Sequence, residues 1–215
     1  MNHVPMRALA PAIRPQKVTR RALAKQQTRE KVLGAARQLF IQHGYEGATI
    51  RDIARAAGMS TGAVFASFAD KSELFDAILN DDLQTLAGPV RDSVERATNT
   101  RDRLVGMFAT IYRAHASELP LIQAAMAVSW TRTPEADRQR RDAMRPVKAL
   151  VRDILQRGID RGELTAKFDL RLISDMIWDL FLAGYRPAAY EGLSPDHQAD
   201  RLAARIEVIL CAIKA

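Results

Sequence analysis

TIRDIARAAGMSTGAVFASF, residues 49–68, is the most informative run in the chain. Thr49 precedes a short run in which Ile50, Ile53, Ala54 and Ala57 recur at helical spacing, so its hydroxyl is placed to cap a first helix. Gly58 ends that helix, because glycine enters the left-handed conformation of a helix C-terminus without steric cost. Ser60 then offers the N-cap of a second short helix. The segment predicts helix, tight turn, helix. Ala54 is small where the second helix crosses the first, and Ile53, Val64 and Phe68 share one buried cluster. The outer face of the second helix keeps Ser60, Thr61, Gly62, Ala63, Ala66 and Ser67. Such short side chains let a helix sit deep in the major groove of duplex DNA and meet base edges. Many helical hairpins with a turn glycine bind nothing, so the flanking sequence has to decide.

Ahead of the hairpin, Val32, Ala35, Ala36, Leu39 and Phe40 mark an amphipathic helix over 28–43 that ends in HGYEG. Behind it, DKSELF (70–75) opens another helix. The run AARQLFIQHGYEGATIRDIARAAGMSTGAVFASFADKSELFDAIL (35–79) resembles, in order and without gaps, the N-terminal domain of the tetracycline-repressor (TetR) family of bacterial one-component regulators. The resemblance implies that Thr49, at a helix entry, and Lys71, at the start of the next helix, hold DNA phosphates. Lys71 near a helix N-terminus suits an anion on both charge and amide grounds. It also implies base reading by Thr61, Gly62 and Ala63, where a methyl group can meet a thymine methyl and glycine permits close approach. Two positions depart from the family pattern: Phe65 stands where a tyrosine is usual, and Ser67 where a histidine is frequent. Phe65 cannot donate a hydrogen bond, which shifts backbone anchoring toward Thr49, Ser67, Lys71 and the basic N-terminal end. The expected DNA-facing set is Thr49, Ser60, Thr61, Gly62, Ala63, Phe65, Ala66, Ser67 and Lys71.

Charge supports a phosphate partner at that end. Residues 1–40 hold nine basic side chains against one acid, a net of +8, while the whole chain is +7, so everything after Phe40 sums to −1. A basic end on a near-neutral body is the electrostatic footprint of a nucleic-acid binder. Pro5, Pro11 and Pro15 and weak periodicity predict an arm over 1–27, helical at most from Arg20, followed by the DNA-binding domain at 28–79 and a helical domain at 80–215. The chain is 215 residues long and 47% hydrophobic with few prolines and glycines, which predicts an all-α globular protein with a full core. Its single cysteine, Cys211, rules out an internal disulfide framework and fits a cytoplasmic protein. No apolar run reaches membrane-spanning length, and no secretory leader is evident.

Beyond 72–86, read as the helix joining the two domains and broken or kinked at Gly88–Pro89, helices are expected at 90–97, 100–118, 121–130, 134–161, 170–190 and 195–214, with a kink at Pro146. The last two carry apolar stripes, Ile173, Ile177, Leu180, Phe181 and Gly184, and Leu202, Ile206, Ile209, Leu210 and Ile213. Two copies of that pair would form a four-helix bundle and a homodimer, or the stripes pack on their own domain. Met107, Phe108, Tyr112, Met126, Trp130, Met144, Met176 and Trp178 form an inventory suited to a roomy apolar pocket, with core packing as the plain alternative. Asp175 and Asp179, one turn apart, would draw a cationic or planar aromatic effector if they line that pocket, and the controlled gene would then be an efflux pump in a multidrug response.

Catalysis finds little support. The histidines are scattered without metal-ligand spacing, and no phosphate loop or nucleophile elbow occurs. No metal or cofactor is indicated. The function expected is a homodimeric regulator, a repressor, that binds a palindromic DNA operator and is released by a small-molecule effector tilting the connecting helix. The competing reading is an all-helical enzyme or protein-interaction module whose N-terminal hairpin does not touch DNA.

Overall fold

The computed structural model describes residues 19–215, and the expectations for 1–18, including Arg7, Arg14 and Lys17, lie outside them. Among the described residues there are ten α-helices and one 3-10 turn. The N-terminal module comprises α1 (Arg20–Gly47), α2 (Ile50–Ala56), α3 (Thr61–Phe65) and the start of α4 (Lys71–Arg96). Thr19 accepts a hydrogen bond from the Ala22 amide and caps α1. Residues 20–27, read from the sequence as part of the arm, therefore belong to a helix that runs unbroken to His43. Gly44, at φ +71°, breaks it there. Phe40 and Phe75 meet edge to face at 5.2 Å, with Tyr45 against both, and Ile53, Val64 and Phe68 close the same core.

The second domain is built on α5 (Thr100–His115), packed between α4 and α10 (Pro195–Ala212). Leu104, Met107, Phe108 and Tyr112 on α5 are fully buried. A 3-10 turn (Ala116–Glu118) leads to α6 (Leu119–Ser129), which serves both cores: Leu121 faces the N-terminal cluster and Ile122 the C-terminal one. Next come α7 (Pro134–Asp160), α8 (Leu170–Ala183) and α9 (Tyr185–Glu191). No helix among the described residues is long and apolar enough to cross a membrane.

Three local expectations are corrected. α4 runs through Gly88–Pro89 to Arg96 as one helix, so no break separates 72–86 from 90–97, and α7 likewise continues past Pro146. Each proline removes one amide donor, and Pro89, Pro146, Thr85 and Asp142 are all exposed, so the carbonyl left over four residues back can be hydrated. The segment 170–190 divides at Gly184 instead of running on. There the Tyr112 hydroxyl donates to the Phe181 carbonyl at 2.6 Å, and the Gly184 amide takes the same oxygen in a tightened last turn. The stripes expected to face a partner subunit pack on their own domain: Ile173, Ile177, Phe181, Leu202, Ile206, Ile209, Leu210 and Ile213 are buried, Leu180 packs on the same core, and Gly184 is closed off by Tyr112. The apolar side chains left in solvent there are Leu172, Met176 and Leu182 on α8 and Val208 on α10.

Candidate nucleic-acid interface and ligand cavity

The α2–α3 turn follows from its sequence step by step. Thr49 accepts from the Asp52 amide at 3.2 Å and its hydroxyl donates to the Asp52 carboxylate at 2.6 Å, a reciprocal cap. Met59 and Gly58 amides reach back to the Ala54 and Arg55 carbonyls, with Gly58 at φ +68°, the geometry of a Schellman stop. Ser60 accepts from the Ala63 amide and starts α3. Thr61, Gly62, Phe65 and Ala66 then lie exposed, Ala63 and Ser67 are half-buried, and Val64 is fully inside. Phe65, 53% exposed, projects from this face as its one large side chain. The surface is short-sided except at that point.

The cations around it divide into two groups. The Lys71 ammonium donates to the Tyr45 carbonyl at 2.9 Å and the Ala48 carbonyl at 3.3 Å, and lies 4.3 Å from the centre of the Tyr45 ring. It thereby ties the start of α4 to the α1–α2 corner, with one of its three protons left over. Arg29 lies over the Phe68 ring at 4.2 Å and donates to the Ser67 carbonyl. Arg37 is bound by Asp82 on α4, by Glu118 of the 3-10 turn at 2.6 Å, and by Asp81 at 3.7 Å. Burial disfavours its charge, but these carboxylates outweigh that and raise its pKa. Part of the basic excess counted in the sequence is thus neutralised inside the protein. Lys25, Lys31 and Arg51 remain in solvent.

A cavity of about 1030 Å³ opens between α4 and α7, walled at the back by α5, α6, α8 and α9. Leu83, Leu86, Val90, Val147, Leu150 and Phe181 are typical of its walls. Of the expected ligand contacts, Met126, Met144 and Trp178 line it, while Met107, Phe108 and Tyr112 are core residues that do not reach it. Trp130 is 88% exposed, Met176 faces solvent, Asp175 pairs with Lys148 at 3.3 Å, and Asp179 is exposed. None of these four lines the cavity. Because Ile173, Ile177 and Phe181 set the inward face of α8, positions 175, 176 and 179 are rotated away from it. A second, shallower depression of about 550 Å³ between α1, α4 and α7 includes Asp70, Glu73, Asp76 and Asp81 and offers an apolar ligand little to bury against.

The end of the cavity nearest the N-terminal module is polar, and sequence reasoning missed it because its residues come from four helices. His115 Nδ1 lies 2.7 Å from the Tyr185 hydroxyl. Burial pushes its imidazole below the usual value, against the pull of Asp82, so it is neutral near pH 7. Arg132 makes a bidentate pair with Asp76, at 2.8 and 2.6 Å. Arg140 donates to the Asn80 side-chain oxygen at 3.2 Å. Among the described residues no His, Cys, Asp and Glu cluster has metal-site geometry.

Known proteins share both halves. Residues 32–78 match the family model described as bacterial regulatory proteins, tetR family, and residues 94–206 match that of the tetracyclin repressor-like C-terminal domain. The HTH-type transcriptional repressor KstR2 of Mycobacterium tuberculosis is 29% identical over 168 residues, 74% of this chain and 82% of its own. Its solved structure, described as that of a ketosteroid transcriptional regulator, superposes with a TM-score of 0.58 at 24% identity over 87% of this chain and 95% of that one. The transcriptional regulator FadR of Bacillus subtilis, solved in complex with stearoyl-CoA, superposes with a TM-score of 0.75 at 15% identity over 86% and 98% of the two chains, a likeness of fold. With a helix-turn-helix module and a helical C-terminal domain that both match, the chain belongs to the tetR family of bacterial regulatory proteins.

Proposed function

We propose that the protein is a transcriptional repressor that binds a palindromic operator as a homodimer and is released when a large apolar, lipid-like effector enters the cavity. The observation that carries this reading is the course of α4. Its first residue, Lys71, is fixed to the DNA-facing module, and its middle, through Leu83, Leu86 and Val90, forms a cavity wall. A molecule filling the cavity pushes on the same rod that holds the module, so DNA and effector weaken each other's binding reciprocally. The DNA contacts are those of α3's outer face with Thr49 and Lys71. Any phosphate at Thr49 competes with Asp52 for the hydroxyl proton. Dimerisation uses the outer faces of α8 and α10 around Leu172, Met176 and Val208, the apolar residues their own core leaves uncovered.

The effector class follows from the walls. An apolar cavity of this size suits a long-chain or polycyclic body, in keeping with the acyl and ketosteroid chemistry in the names of the similar proteins. A cationic aromatic drug loses its support, because Asp175 and Asp179 stand outside the cavity. The efflux-pump target, which rested on them, falls with it. The test is a mobility shift with the DNA upstream of the protein's own coding sequence. Specific retention should fall steeply with salt, and lipid-like acids or thioesters should release the complex. Lys71→Ala should weaken all sequences alike, and Thr61 changes should alter preference among them. Retention indifferent to sequence would overturn the proposal.

A further inference from the structure

Among the described residues, the cavity contains one half-buried cation with no carboxylate partner. Arg132 has its charge paired by Asp76, with only its buried Nε left over, whereas Arg91 and Arg157 stand exposed at the far end. Arg140 is different. It lies at the end beside the N-terminal module, partly enclosed, and no acidic group is within ion-pair distance of it among the described residues. Of its five N–H donors, one is used, on the neutral side-chain oxygen of Asn80. Burial pushes its pKa down, the neighbouring charge of Arg132 adds to that, and Asp76 and Asp82 offset part of it. A guanidinium in that position has donors left for a ligand, and its fork geometry matches a carboxylate or a phosphate.

We propose that Arg140 receives the anionic group of the effector, a carboxylate or phosphate, so that an elongated apolar ligand lies head toward the DNA-binding module and tail along α4 toward Val94. The inference rests on reading the cavity as a lipid-like effector site and adds the head group and the direction of entry. From Asn80 to Val94, α4 offers roughly 21 Å of wall at 1.5 Å per residue, enough for a long acyl body. The arrangement also gives the ligand its leverage. An anion drawn to the free donors of Arg140 pulls the guanidinium toward the cavity, strains its bond to Asn80 and loosens a hold that α7 has on α4. Arg132 and Asp76 keep the second hold, so the change is a local release and not an unfolding.

The experiment follows the fluorescence of Trp178, which lines the cavity, in a W130F background that removes the exposed second tryptophan. The probes are sodium hexadecanoate below its micellar concentration, methyl hexadecanoate and hexadecanoyl-CoA, titrated into W130F and into W130F carrying R140Q or R140K. The expected result is that R140Q weakens a charged probe about tenfold or more, the loss of one charge-assisted contact, and leaves the methyl ester unchanged. R140K should restore part of the difference. Dependence confined to the free acid identifies a carboxylate head, and dependence confined to the thioester identifies the phosphates of the CoA moiety. Equal weakening of all three probes by R140Q, or no weakening of any, would overturn the assignment while leaving the lipid reading in place. Failure of all three to bind the W130F protein would remove the lipid reading and this inference together.

Discussion

Gly58 and Gly184 are both turn residues at which a side chain is disfavoured, for opposite reasons. Gly58 has φ +68° and open space around it: no atom would meet an added Cβ within 4 Å. Gly184 has an ordinary helical backbone, φ −66°, yet an added Cβ would stand 2.1 Å from the Tyr112 hydroxyl and 2.9 Å from the ring carbon bearing it. The first is demanded by its own backbone and the second by a side chain far away in sequence. That difference separates the two functional regions. The helix-turn-helix is assembled from local signals: a Thr cap, a Gly stop and a Ser cap within a dozen residues. The cavity is assembled from distant ones, and no short stretch encodes it.

The greatest loss should come from breaking the distant kind of constraint. Gly184→Ala should destabilise by about 3 kcal/mol, the upper end of what overpacking a tight site costs, because Tyr112 is held in place by its bond to the Phe181 carbonyl. Y112F should recover only part of the loss, since the ring carbon still crowds the methyl group. Thermal or denaturant melts of the single and double variants check this. If Gly184→Ala melts like the parent, the α8–α9 joint is softer than drawn and the cavity floor formed by Phe181 and Tyr185 is not rigid.

The junction between the regions comes next. Arg37 on α1 holds Asp82 on α4 and Glu118 before α6, and Asp82 also lines the cavity and keeps one buried carboxylate oxygen without a hydrogen-bond partner. Arg37→Ala leaves two enclosed carboxylates uncompensated and should cost about 2 kcal/mol. The sharper readout is functional. DNA affinity should survive, while the loss of affinity on adding effector should shrink, because α1 no longer follows α4. Unchanged effector response in that variant would place the coupling elsewhere.

The caps, the stop at Gly58 and the buried trio Ile53, Val64 and Phe68 were legible because each is decided by neighbours within a few positions. The roles of Met126, Met144 and Trp178 were legible as chemistry, an apolar and adaptable set, but their separation from Trp130, Met176, Asp175 and Asp179 was not. That sorting depends on the rotation of α6 and α8 about their axes, fixed for α6 by its packing on α1 and α9 and for α8 by α7, α10 and the rings of Phe108 and Tyr112 on α5. Arg140, His115 and Asp82 carried no signal, since their meaning lies in which groups face them across three or four helices. Pro89 and Pro146 do not end their helices, and the carbonyl each leaves over, on Thr85 and Asp142, is open to water.

A more modest loss tests the local kind of constraint. Gly58→Ala meets no steric neighbour, so its cost is that of a left-handed alanine, about 1 kcal/mol. Global stability should therefore change little. The turn sets the angle of α3 relative to α2, and operator affinity should fall by more than the stability loss explains. Paired melting and mobility-shift measurements separate the two, and equal losses in both would mean that the turn is no more than a connector.

The weakest contribution belongs to Glu163, whose carboxylate reaches across from the segment after α7 to the start of α5. It accepts from Arg161 at 2.6 Å and from the Thr100 amide at 2.8 Å. The Arg161 hydrogen bond, opposed by partial burial and aided by Thr100, lowers its pKa from 4.5 to about 2. A carboxylate with a depressed folded pKa contributes stability that is fully present above its unfolded value and is lost as pH falls toward the folded one. The window is therefore about pH 4.5 down to 2. The pair lies at the surface, so solvent screening holds the contribution below about 1 kcal/mol. Glu163→Gln keeps an acceptor for the Thr100 amide and removes the charge, so melts of the two proteins should differ above about pH 4.5 and converge as pH approaches 2. A difference that stays constant through that window would mean that the side chain acts as a neutral acceptor alone, and that the ends of α5 and α7 are joined by geometry without help from charge.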